Sequence, residues 1–120
     1  MKYKEKKLNK IILIGNLTRD LELKYSKDGL AIANSSLAIN EFRGTEKEKT
    51  IFIDISFFGK TAENANRYLH KGSRIAIVGK LDFQSWVAQD GTNKNKHSII
   101  VEDVTYLDKK ESIDEGENNE

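Results

Sequence analysis

Between Thr50 and Phe58 the chain reads TIFIDISFF, with a large apolar side chain at every second position from Ile51 to Phe57. A side-chain period of two fits a strand and no helix. Immediately afterwards the period changes. In TAENANRYLH, residues 61–70, Ala62, Ala65, Tyr68 and Leu69 fall on one helical face. Thr61 is the predicted N-cap and Gly72 the predicted terminating residue, with His70 and Lys71 near the negative end of the helix dipole. Tyr68 is expected to pack the helix onto the neighbouring sheet.

The rest of the chain reads as strand and turn. Asn9 to Leu17, NKIILIGNL, is apolar and rich in β-branched residues, which favours a first strand. Ser26-Lys27-Asp28-Gly29 is a turn signal, and residues 30–42 form the second strand. RGTEKEK, 43–49, reads as a charged hairpin loop before the third strand, 50–58. Residues 73–81 make a fourth strand that continues through 82–88 towards a hairpin. Asp90-Gly91 opens a basic loop to Lys96, and 97–107 is the last strand. Five strands with one helix after the third predict an all-β fold, a five-stranded Greek-key barrel of OB type. Gly15 and Gly79 interrupt two similar apolar runs, ILIGNL and IAIVGKL. Glycine inside a strand is costly unless the strand bends there, so both are predicted barrel corners.

Length and composition bound what such a barrel can do. At 120 residues the chain has room for one core. The expected division is a charged arm over 1–8, a barrel domain over 9–107 and a disordered acidic tail over 108–120. There is no Cys and there are two His, so neither a disulfide nor an ordinary zinc site is expected, and no cofactor is implied. The basic start lacks the apolar stretch of a secretory signal, and no run approaches the ~18 apolar residues of a membrane span. A soluble, cytoplasmic protein is the expectation. Residues 1–107 hold 18 basic and 13 acidic side chains, a surplus of five, whereas 108–120 hold two and six. A basic body with an acidic appendage suits a binder of polyanions. No Walker A, HExxH or GxSxG motif occurs, and Asp20, Glu22 and Asp54 have no catalytic spacing. Enzymatic activity is not expected.

Strand parity supplies the functional hint. In the third strand Ile51, Ile53, Ile55 and Phe57 form the core face, which leaves Phe52, Asp54, Ser56 and Phe58 on the other. By the same count Phe42 shares a polar face with Ser36 and Asn40, and Trp86 shares one with Asp82 and Gln84; Leu81, Phe83 and Val87 have the opposite parity. One outward phenyl is ordinarily packed beneath a helix, a loop or another subunit, and Phe58, beside the helix start, is the readiest case. Four rings on polar faces point instead to a contact surface. Flat rings beside cations suit an unpaired nucleic-acid strand, because every base has a face to stack. The candidate cations are Arg43, Lys47, Lys49, Lys60, Lys80, Lys94 and Lys96. His70 and His97 are expected at the surface.

At these residues a family becomes recognisable. Over 9–107 the chain resembles bacterial-type single-stranded DNA-binding proteins, through NKIILIGNLTRDLELKY (9–25), AIANSSLAIN (31–40), FFGKTAENANRYLHKGSRIAIVGKL (57–81) and SWVAQDG (85–91). The resemblance implies an OB barrel, commonly assembled as a homotetramer around DNA, with stacking aromatics falling on Phe42, Phe52, Phe58 and Trp86. It implies roles in DNA replication, recombination and repair. Family members usually end in a long linker with an acidic Pro-Phe tip; here the acid is present without Pro or a terminal Phe. Recruitment of replication and repair partners is therefore in doubt, and either a truncated chain or a compact plasmid or phage member would fit. The alternative is an OB-fold interaction module that binds mainly protein, such as a primosomal accessory.

Overall fold

The structure, a computed structural model, describes residues 7–43 and 47–108, the side chains of 42, 43, 47 and 48 excepted. The elements run β1 (Ile11–Leu17), β2 (Glu22–Tyr25), β3 (Ala31–Arg43), β4 (Lys47–Phe58), α1 (Gly59–Tyr68), β5 (Arg74–Val87) and β6 (Asn93–Tyr106). β1 pairs with β5, β5 with β6, β6 in parallel with β4, and β4 with β3. β3 then returns to β1 through Asn16↔Ala38 and Leu17↔Leu37, closing a ring of five strands. This is the all-β arrangement that the alternation predicts.

The first strand differs from expectation in being continued after a break. β2 pairs with the start of β3, from Glu22↔Asn34 to Tyr25↔Ala31. Polar anchors hold the break at 18–21. Thr18 N–H donates to the Ser36 carbonyl at 2.9 Å, and the Ser35 hydroxyl donates to the Arg19 carbonyl at 2.8 Å. Asp20 accepts the Lys71 N–H at 2.7 Å. The loops are shorter than read. Strand pairing continues to Arg43↔Lys47, so most of the 43–49 loop is ladder, and β6 begins at Asn93, which puts Lys94 and Lys96 on a strand. The hairpin between β5 and β6 turns at 88–92, where Gly91 has φ 88° and Asp90 accepts from both the Thr92 N–H and hydroxyl. Those two bonds hold the Asp90 carboxyl below its usual range.

The core is made by alternate residues from each strand together with one face of α1. Leu17, Leu37, Ile55, Phe57, Ile75, Ile77 and Ile99 are buried, and Ala62 and Ala65 of α1 join them with Leu69 just past its end. Each large side chain so buried contributes roughly 1.5–3 kcal/mol relative to exposure. The helix starts two residues before the predicted cap: Phe58 is the N-cap, with no side-chain capping bond, and Thr61 lies inside the first turn. An uncapped ten-residue helix is held by packing rather than by its own propensity. Leu69 is the C-cap, and Gly72 (φ 92°) instead turns the chain into β5; Arg67, not His70 or Lys71, is the basic residue of the last turn. Tyr68 meets the barrel only at its rim, through Tyr106 at the end of β6. It is 58% exposed and lies 6.2 Å from Tyr106, ring centre to ring centre.

Both predicted corner glycines sit where two backbones come close, and at Gly79 the strand also bends. A Cβ on Gly15 would meet the Ala38 carbonyl oxygen, and one on Gly79 would meet that of Ile100. The β5–β6 register shifts between Val78 and Gly79, a bulge that bends the sheet. Close approach of backbones forbids a side chain at either place.

Candidate nucleic-acid interface

Strands β3, β4, β5 and β6 share one outward face. Pairing fixes which side chains meet on it, because directly opposed residues point the same way. Ala38 stands opposite Phe52, Ser36 opposite Asp54 and Asn34 opposite Ser56. Across the parallel pair Asp54 aligns with Ser98, and across the hairpin Gln84 aligns with Lys96 and Trp86 with Lys94. The small Ala38 leaves the Phe52 ring uncovered, at 66% exposure. Trp86 is 46% exposed and stands directly opposite Lys94 across the hairpin. The Lys96 ammonium bonds the Asp54 carboxylate at 3.0 Å, tying hairpin to barrel. On the same face lies a polar recess of about 250 Å3, walled by Arg19, Glu22, Asn34, Asp54, Gln84 and Lys96, with the buried Ser98 among its lining residues.

The predicted site residues divide by place. Phe52, Trp86, Lys94 and Lys96 stand on this face, and Lys80 stands in the neighbouring row, paired with Ile100 and in line with Ser56. Phe58 is half-buried at the far end of β4, six residues and roughly 20 Å from Phe52. Lys60 follows it on α1. Lys49 is exposed but has the parity of Ile51, so it points away from Phe52. The side chains of Phe42, Arg43 and Lys47 lie outside the described residues.

Arg19 escaped the sequence reading, because it occupies the break after β1, which no periodicity marks. Asp54 and Gln84 were legible as polar-face residues, but only the Lys96 contact and the shared recess bring them together. Phe83 is a further exposed ring. It lies on the other side of the hairpin from Trp86, with its centre 5.0 Å from the exposed His97 ring. At the end of β6, burial raises the Tyr106 phenol above its ordinary value, with Tyr68 adding to the effect.

Chemically the face offers ring surfaces, ammonium groups and a mixed donor and acceptor recess. Among the described residues no cluster of three or more His, Asp or Glu could hold a metal, and no helix is long and apolar enough to cross a membrane.

Comparison with known proteins matches this geometry to a family. Residues 8–107 match the Single-strand binding protein family. The chain is 47% identical over 115 residues to a single-stranded DNA-binding protein of Helicobacter hepaticus, covering 92% of this chain and 68% of that one. It is 46% identical over 106 residues to the protein of that name from Wolinella succinogenes, covering 85% and 65%. It thus spans about two thirds of the length of these relatives. Its fold superposes on a Plasmodium falciparum SSB in complex with ssDNA with a TM-score of 0.79, at 32% identity, over 88% of this chain and all of that one. The chain therefore belongs to the single-strand binding protein family.

Proposed function

We infer that this protein binds and coats single-stranded DNA without sequence specificity, in replication, recombination and repair, and that it does so without catalysis. The observation that carries the reading is the pair of uncovered rings, Phe52 and Trp86, on one sheet face beside Lys94 and Lys96. Each ring accepts a base for about 1–3 kcal/mol whatever its identity, and the ammonium groups follow the phosphates. Lys80 continues the track on this face, and Phe58 and Lys60 lie at its far end; Phe42, Arg43, Lys47 and Lys49 complete the predicted set, Lys49 from the opposite side of β4. Residues 9–107 form the binding domain, with 1–8 a charged arm and 108–120 an acidic tail. The protein works in the cytoplasm at the nucleoid.

The working unit is a homotetramer. Two separate apolar patches support this. β1 turns Ile12 and Ile14 outward, 73% and 49% exposed, along an edge that pairs with β3 only at Asn16 and Leu17. The hairpin exposes Leu81, Phe83 and Val87. A closed assembly with two kinds of two-fold contact needs two such surfaces on each copy.

Trp86 is the single Trp, so its fluorescence reports on the site. Titration with oligo-dT is expected to quench it, and added salt to weaken binding. An unchanged spectrum at saturating oligonucleotide and low salt would overturn the reading. Light scattering is expected to give a mass near four times 13.7 kDa.

A further inference from the structure

The cations that strand pairing brings to the Phe52 and Trp86 face all stand on its hairpin side. Lys94 is opposite Trp86 and Lys96 opposite Gln84. Lys96 is also engaged, its ammonium 3.0 Å from the Asp54 carboxylate. Asp54 lies on the same side of β4 as Phe52 and two residues from it, roughly 7 Å along the strand. A single strand carries a negative charge at every nucleotide, so a backbone whose base lies on Phe52 passes close to that carboxylate. A cation on the other side of Phe52, towards β3, would offset the repulsion.

We propose that Arg19 is a phosphate-binding residue of the track and holds the DNA backbone on the β3 side of Phe52. The inference rests on the stacking reading of Phe52 and Trp86. Arg19 sits in the break between β1 and β2, and the chain is tied down on both sides of it. Thr18 N–H donates to the Ser36 carbonyl, the Ser35 hydroxyl to the Arg19 carbonyl, and the Lys71 N–H to the Asp20 carboxylate. The side chain itself is exposed and, among the described residues, belongs to no ion pair. Ser36 is two residues from Ala38, which stands opposite Phe52, so this anchor lies roughly 7 Å along β3 from the Phe52 row. The Arg19 side chain lines the recess with Asp54, Glu22 and Lys96, two carboxylates against two cations. Glu22 lies farther from the ring, because it pairs with Asn34, which faces Ser56. The charge left over beside Phe52, once Lys96 has met Asp54, is that of Arg19. A guanidinium suits the task. It stays ionised at any physiological pH, and its planar fork of donors takes two oxygens of one phosphate. A phosphate contact carries no base information, in keeping with sequence-independent coating.

The test titrates the full chain, Arg19→Ala and Arg19→Lys with oligo-dT over a series of salt concentrations, read by Trp86 quenching. In Arg19→Ala the slope of log affinity against log salt is expected to become shallower by about 0.7, the loss of one phosphate contact on a single strand. Affinity at low salt is expected to fall about five-fold, as for an exposed charge pair at the strong end of its range. The same factor is expected for oligo-dC and for a mixed sequence. Arg19→Lys keeps the charge and should restore the slope. The unfolding midpoint should stay near that of the unaltered protein in both variants, because the carbonyl of residue 19, not its side chain, makes the structural bond. A slope unchanged in Arg19→Ala, or one that lysine does not restore, would overturn the proposal and leave Arg19 a solvated charge. A loss confined to one base composition would overturn it too, since a phosphate contact is blind to the base. Absence of quenching in the unaltered protein would instead remove the stacking reading itself and this proposal with it, a separately recognisable failure.

Discussion

β5 and β6 run through two different environments, and the contrast explains much of this molecule. In the closed ring, Ile75 and Ile77 of β5 and Ile99 of β6 are fully buried, and every second residue belongs to the core. Farther along, where the same two strands project as a hairpin, the same parity carries Leu81, Phe83 and Val87, and all three are exposed. β4 behaves alike: Ile55 and Phe57 are buried, Ile53 is half-buried and Ile51 is 37% exposed. Alternation records which way a side chain points, not whether anything covers it. A ring in the barrel is worth stability; a ring on the projecting arm is worth contacts.

The largest effects break the comparison directly. Phe57→Ala is expected to cost about 3–5 kcal/mol in denaturant unfolding. Phe83→Ala should cost the barrel itself no more than about 0.5 kcal/mol, and its effect should appear instead in the oligomer mass. A loss like that of Phe57 would mean that the arm is packed as tightly as the barrel. Phe52→Ala and Trp86→Ala address the other side of the hairpin and sheet. Each should lower oligo-dT affinity by about 1–3 kcal/mol, with an unfolding midpoint near that of the unaltered protein; anisotropy with labelled oligo-dT reads both variants. If affinity survives their combination while a protein contact is lost, the interaction-module reading gains.

Smaller changes sharpen the contrast in the backbone. Gly79→Ala forces a Cβ against the Ile100 carbonyl and should cost roughly 1–3 kcal/mol by overpacking. Gly91→Ala, at the hairpin tip with open space around it, pays only for its positive φ, about 1–2 kcal/mol. Paired unfolding curves distinguish the two. The smallest effect expected is electrostatic. The Lys10 ammonium, hydrogen-bonded to Glu102, holds that carboxyl below its ordinary value. A depressed carboxyl stabilises the fold above its unfolded value and loses that contribution as pH falls through the folded one. Glu102→Gln should therefore lower the unfolding midpoint slightly at neutral pH, and the difference should fade in acid.

Much of the fold was legible because it is local. The alternation of 50–58, the switch of period at Gly59 and the two corner glycines are patterns within a few residues of chain. The break that makes β2 and the meeting of Tyr68 with β6 were not, since each answers to a partner distant in sequence. Thr18 needs the Ser36 carbonyl, Asp20 needs Lys71, and Tyr68 meets Tyr106. For the candidate site, parity singled out Phe52 and Trp86, and the strand pairing places them on one face with Lys94 and Lys96.

By itself, then, the amino-acid order determined most strand segments, the helix after the 50–58 strand and which side chains turn from the core, because these follow from steric period over neighbouring residues. Only the tertiary structure decided that Asp54 holds Lys96 across 42 residues of chain, that Arg19 joins them, and that the hairpin projects uncovered. Closure of the ring sets those distances, and no period in a linear chain encodes where a ring closes.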